Sequence, residues 1–204
     1  MTRGDLISRI IGELHLETAS YTVQVIDAIN SAVAFYRPQR FWFTEGTTDL
    51  PLGTQGSVVL SSEFPDSITF DNVRIADDSG TFVPITQQNW ADFQLHESMT
   101  ALPTHWALHH GLLHVWPYNN STRTLQVDWH GLMTMTACDS SSCVWTNEAE
   151  ELIRLHAKVD LCENFLQDLP AADRHRGREG TVLNQLVTET INRLGLGDNM
   201  RSYL

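Results

Sequence analysis

Cysteine is scarce in this chain. Three residues in 204, an odd number, cannot build a framework of disulfides, so packing must hold the fold together. Cations are scarce as well: 13 Lys and Arg stand against 25 Asp and Glu, a formal net charge of −12. A protein that wraps DNA or RNA needs cations to neutralise phosphates, so this balance excludes a general polyanion binder and suits a surface that repels nucleic acid. No apolar run reaches the roughly 18–20 residues that cross a bilayer. The first residues, MTRGDLISRIIGELHLE, mix acids with apolar side chains, unlike a secretory leader, and synthesis in the cytosol is expected. In that setting Asn119-Asn120-Ser121-Thr122 reads as a turn rather than a glycosylation site. Motifs of nucleophile, nucleotide and zinc-protease chemistry are missing too: GxSxG, GxxxxGK followed by Ser or Thr, GxGxxG and HExxH do not occur. Gly53-Thr54-Gln55-Gly56 lacks the lysine of a phosphate cradle and reads as a hairpin turn. Neither enzymatic activity nor a cofactor is expected.

What is present is periodicity. Leu152, Leu155, Val159, Cys162, Leu166 and Leu169 recur every three or four residues between Trp145 and Leu169 and predict an amphipathic helix with one apolar stripe. Asn147 and Glu150 suit its capped start, and Pro170 its stop. Two helices are expected near the N-terminus. The first runs from about Thr2 to Leu14, with Thr2 and Asp5 as its cap pair and Ile7, Ile10, Ile11 and Leu14 on one face. The second runs from Tyr21 to Tyr36, with Ile26, Ile29, Val33 and Tyr36 inward, and ends before Pro38. A last helix is predicted from Arg178 to Leu194, carrying Leu183, Leu186, Val187, Ile191 and Leu194 and stopped by Gly195 and Gly197.

Between Arg40 and about Thr136 the period shortens to that of strands. FWFTEGTTDLPLGTQGSVVL suits strand, turn and strand; SITFDNVRIAD and TFVPIT are strands about a DDSG turn. Leu112–Trp116 and Thr124–Trp129 read as a hairpin around 117–122, and Gln87–Met99 as either a short helix or a loop. The fold class expected is α+β: a helical bundle formed by N- and C-terminal helix pairs, with an inserted antiparallel β lobe. The corresponding divisions are bundle helices at 1–39, the lobe at 40–144, bundle helices at 145–194, and an arm at 195–204.

Three clusters invite chemistry. His105, His109, His110 and His114, with His130 beyond, are common metal-ligand types, and a metal-dependent hydrolase built on His105–His114 is a second class of function. On a strand, however, adjacent His109 and His110 would point to opposite faces, so surface or cross-strand histidines are the reading adopted and no metal is assigned. Cys138 and Cys143 would serve zinc or a local disulfide, but a lone CxxxxC lacks a second pair, and free thiols are expected. Arg174, Arg176 and Arg178 with His175 form the one cationic cluster, placed in a loop between the last helices, and read either as solvated or as touching phosphate or a partner's acids.

The order of several features resembles a known family. The helical pair ends in the aromatic cluster Tyr36, Phe41, Trp42 and Phe43, and a β segment enters Phe64-Pro65-Asp66. Pro103-Thr104-His105-Trp106 leads through Gly111 to His114-Val115-Trp116-Pro117, and a Leu125–Trp129 strand precedes Trp145 and the helix of Leu152, Ile153 and Ala157. Over nearly its full length the chain resembles the head-to-tail adaptor, or connector, proteins of tailed bacteriophages of podovirus type. That resemblance implies a structural virion protein, assembled in the host cytoplasm as a homo-oligomeric ring of twelve at the phage neck. Its partners would be the portal protein and the tail nozzle and fibre proteins, with DNA passing through the channel without specific binding. A tail-completion or stopper protein that closes the channel is the neighbouring alternative. Arg174, Arg176 and Arg178, together with Leu196, Met200, Arg201, Tyr203 and Leu204 of the arm, are the residues expected at the portal or subunit interface.

Overall fold

The computed structural model describes residues 1–52, 56–59, 68–93, 102–117, 123–133, 135 and 140–194. They form two compact units, one made of Met1–Thr44 with the chain from Leu132 onward, the other of Glu45–Gly131. Together they are α+β, with six helices and seven strands among the described residues.

The first unit is helical. α1 (Arg3–Glu13) starts at the predicted cap: Thr2 Oγ1 accepts from the Asp5 amide at 3.2 Å while the Asp5 carboxylate accepts from the Thr2 amide at 2.9 Å. It ends in a Schellman arrangement, with the Leu16 amide on the Ile11 carbonyl and His15 at φ 53. α2 (Thr18–Tyr36) follows, then a 3₁₀ turn (Trp42–Thr44), α3 in the other unit, and α4 (Val144–Glu148), α5 (Glu150–Asn164) and α6 (Leu169–Leu194). Leu6, Ile10, Ile29, Tyr36, Phe41, Trp145, Leu152 and Ile153 lie in one buried core. Phe41 and Phe43, which the sequence pattern placed at the mouth of the β lobe, therefore belong to the helices.

The predicted helix Trp145–Leu169 is three pieces. α4 begins at Cys143, whose amide donates to Thr146 Oγ1 at 2.9 Å, and Ala149 breaks the run before α5. Asn147, the expected cap, lies inside α4. Nor does α5 carry a single stripe: Leu152, Ile153, Leu155, Ala157, Val159, Leu161 and Cys162 are all buried, and so are Arg154 and Lys158. A helix enclosed this far around is the centre of its unit, and the stripe marked only one of its walls. Leu169 is exposed and starts α6.

The second unit is a sheet of strand order β1-β7-β3-β4-β5-β6-β2, whose outer strands come close enough to leave it nearly closed. The strands are β1 (Glu45–Leu52), β2 (Ser57–Val59), β3 (Ile68–Ala76), β4 (Phe82–Gln87), β5 (His105–His109), β6 (Leu112–Trp116) and β7 (Arg123–Gly131); α3 (Trp90–Phe93) lies between β4 and β5. Leu50, Val73, Ile75, Leu113, Val115, Leu125 and Val127, alternating along their strands, fill one core. The predicted DDSG turn is present: Asp77 Oδ1 accepts from the amides of Ser79 and Thr81 at 2.8 and 2.9 Å, and Gly80 takes φ 82.

Of the three strand-turn-strand units expected from the sequence, β3 and β4 pair as predicted about the DDSG turn and the other two pairings are replaced. β6 pairs with β5, not β7, across the two-residue turn His110-Gly111, where both residues have positive φ (48 and 74), as a type I′ turn demands. β2 pairs with β6, while β1 pairs with β7. Phe64-Pro65-Asp66 and Asn119–Thr122 lie outside the described residues. All pairings are antiparallel except β4 with β5, which are parallel, as the longer connection through α3 allows.

Gly46 faces Trp129 across the β1–β7 ladder, and a Cβ on it would stand 2.7 Å from Trp129 Cζ2. The indole is held in place by its Nε1–H, which donates to Thr48 Oγ1 at 2.9 Å. Replacing Gly46 with Val is expected to cost about 1–3 kcal/mol through overpacking. Urea unfolding measures it, and an unchanged midpoint would show that the ring yields freely.

Candidate functional site

α6 is the element on which the expected interface residues converge. Its start is encoded by Asp168, whose Oδ1 accepts from the Ala171 amide at 3.0 Å, and by Pro170 in the first turn, where a missing N–H costs nothing. Pro170 thus opens a helix instead of only stopping one. The helix has 26 residues, about 39 Å at 1.5 Å per residue.

Arg174, Arg176 and Arg178 therefore sit on a helix and not in a loop. Arg174 is exposed; Arg176 pairs with Glu163 of α5 and, at 3.1 Å, with Asp173; Arg178 pairs with Glu151. Two of the three thus tie α6 to α5. The other end of α6 is fastened by Arg193, whose guanidinium lies 3.7 Å from the Trp42 ring centroid, and by Thr190, whose hydroxyl accepts from the Trp42 amide at 3.3 Å. Leu196, Met200, Arg201, Tyr203 and Leu204 lie outside the described residues.

Between these ends α6 meets α2 and α5 over a buried polar network that the sequence did not disclose. Glu179 is 8% exposed and accepts from the Tyr36 hydroxyl and from His156 Nδ1, the latter at 2.6 Å. Burial acts to raise the Glu179 pKa, but hydrogen bonds from His156 and Tyr36 outweigh it and hold the carboxyl below its usual range. The Tyr36 hydroxyl moves the other way, raised by burial and then by the adjacent carboxylate. Phe35, 60% exposed, stacks on His156 with centroids 4.7 Å apart and planes 24° off parallel. These residues, with Val159, Asp160, Glu163, Arg176, Gly180 and Leu183, line a groove of about 420 Å³. Tyr36 and Glu179 are 143 positions apart, a separation across which periodicity carries no signal.

A second network joins α1 to α5. The Glu13 carboxylate receives both Arg154, at 2.7 and 2.9 Å, and Lys158, the only lysine in the chain. Burial would raise the Glu13 pKa; hydrogen bonds from Lys158 and Arg154, and then their charges, lower it to about 2.

The histidines do not converge on an ion. His109 and His114 lie on one sheet face and pack on the Trp90 ring at 4.3 and 4.5 Å, while His110 occupies the turn. Burial lowers the pKa of both His109 and His114. His130 is buried at the end of β7. Among the described residues no group of three or more His, Cys, Asp or Glu is placed to hold a metal. Cys143 is a free thiol packed against the helical core, Cys162 a free buried thiol, and Cys138 lies outside the described residues.

Among the described residues the titratable groups of the two networks serve to tie helices together. A family model described as SU10 adaptor protein matches residues 1–201. The chain belongs to the SU10 adaptor protein family. Membership makes it a phage adaptor, a structural component of the virion. No curated protein matches the adaptor. Among its described residues no helix is long and apolar enough to cross a membrane.

Proposed function

We propose that this protein is the head-to-tail adaptor of a podovirus-type phage, a ring of twelve copies under the portal that extends the DNA channel and receives the tail nozzle and fibres. The observation that carries the reading is the family match, which spans residues 1–201 and so takes in both the helical and the β unit. The charge balance supports it: at −12 the protein repels a passing duplex electrostatically, which keeps DNA moving. In this reading the helices act as a bundle that seats each copy in the ring, with the β lobe inserted into it. The 195–204 arm, through Leu196, Met200, Arg201, Tyr203 and Leu204, makes the portal contact together with exposed Arg174. Arg176 and Arg178, engaged with Glu163 and Glu151, fix the helix that carries it.

Mixing purified adaptor with purified portal of the same phage and imaging the product by cryo-electron microscopy tests this. The expected result is a ring on the narrow end of the portal, with the arm and the Arg174 end of α6 at the contact. Absence of binding across a range of salt would refute it, and a chain truncated at Gly195 that still assembled normally would remove the arm from the contact.

A further inference from the structure

The groove between α2, α5 and α6 has three properties that the helical packing does not require. Phe35 presents an open ring face, yet the ring is fixed from beneath by His156, itself anchored through Nδ1 on buried Glu179. Asp160 and Glu163, one turn apart on α5, place carboxylates on the rim; Asp160 accepts from the neighbouring Asn164 and Glu163 from Arg176. With Glu179, three carboxylates face one guanidinium. The third property is Gly180, a glycine inside a long helix, which costs about 1 kcal/mol against alanine. A Cβ there would meet nothing within 4 Å, as at Gly177 of the same helix, and because Gly180 lines the groove its missing side chain leaves that wall open.

From this arrangement we infer that the groove is a docking site for an arginine side chain presented by a partner polypeptide. The methylene stem lies over Val159 and Leu183 in the space left open by Gly180. The guanidinium stacks on Phe35 and forks onto the rim carboxylates. Arginine fits better than lysine because a planar cation can stack and bridge at once. The buried Tyr36–Glu179–His156 network is then a positioning device that keeps the platform rigid before the partner arrives. The inference does not rest on the portal reading, because it is tested on the adaptor alone.

The test titrates the full-length, ¹⁵N-labelled adaptor with the peptide acetyl-Gly-Arg-Gly-amide and with its citrulline counterpart, which keeps the shape and loses the charge. Saturable amide shifts are expected at Phe35, His156, Asp160, Glu163 and Gly180, with the arginine peptide binding at least about tenfold tighter. Gly180→Leu should abolish the shifts, and Phe35→Ala, at an exposed position, should weaken binding by roughly tenfold, both with unchanged circular dichroism. The inference is overturned if citrulline binds equally well, if shifts spread to carboxylates elsewhere on the surface, or if binding survives Phe35→Ala at full strength.

Discussion

Replacing Trp145 with alanine is expected to lower the stability of the helical unit by about 3–5 kcal/mol, the range for emptying a fully buried aromatic site. The side chain has no exposure and contacts the rings of Phe41 and Phe43 edge-on, with centroids 6.2 and 5.6 Å away. Its Nε1–H also donates to the Met133 carbonyl at 2.9 Å, tying the chain leaving the β unit to the start of α4. Alanine therefore removes packing and leaves that carbonyl to find another donor. Trp145→Phe keeps most of the ring volume and loses the hydrogen bond, so it should cost less than alanine. Urea unfolding followed at 222 nm measures both. A Trp145→Ala midpoint matching the wild type would mean that the three aromatic side chains do not form the packed centre described above.

The second large effect is expected at Arg154. Its guanidinium side chain is 8% exposed and bonded to Glu13 of α1 and, at 2.7 Å through Nε, to Glu150 of its own helix. Arg154→Met should cost about 3 kcal/mol, the lower end of the range for breaking a buried pair, because Lys158 and Arg9 continue to attend the two carboxylates. Arg154→Met combined with Glu13→Gln should cost less than the sum of the two changes; strict additivity would show that the pair is not coupled. The network also sets an acid limit. Glu13 has a folded-state pKa of about 2, below its ordinary 4.5, so the folded form binds its proton less readily than the unfolded chain. Its contribution is complete above about pH 4.5 and is lost as pH falls through that value towards 2. Glu13→Gln should lessen the loss of stability across that window, while Glu179, Asp5 and Asp77, also held low, keep the remainder, and a variant profile parallel to the wild type there would contradict the assignment.

Local signals were legible in the sequence wherever a residue and its partner lie within a few positions. The Thr2–Asp5 cap, the Asp77 turn and the strands β3 and β4 belong to this class. Strand pairing was not, because the nearest candidate in sequence is not the partner: β6 turns back through His110-Gly111 onto β5, and a histidine at φ 48 does not advertise a turn as asparagine would. The start of α6 was hidden differently. Pro170 and the polar run that follows resemble a linker until Asp168 is read as a cap and proline as a first-turn residue. At the groove, Tyr36 was visible only as an apolar position, and nothing near it pointed to Glu179 or His156. Family resemblance supplied the broad function from the order of motifs, while the residues that line the groove could be found only by bringing distant helices together.

The helical unit is assembled from both ends of the chain, and this sets an order on its birth at the ribosome. α1 and α2 emerge with Leu6, Ile10, Ile29 and Val33 bare, because the residues that cover them, Trp145, Leu152 and Ile153 among them, come after the whole β unit. At 5–20 residues per second the roughly hundred intervening residues take on the order of 10 s, during which two apolar helices have no permanent cover. The strands of Glu45–Gly131 draw their pairings from within that segment and can close in the interval. Newly made chains are thus most vulnerable to mutual association just before α5 appears, and the helical core closes only with the last third of the sequence.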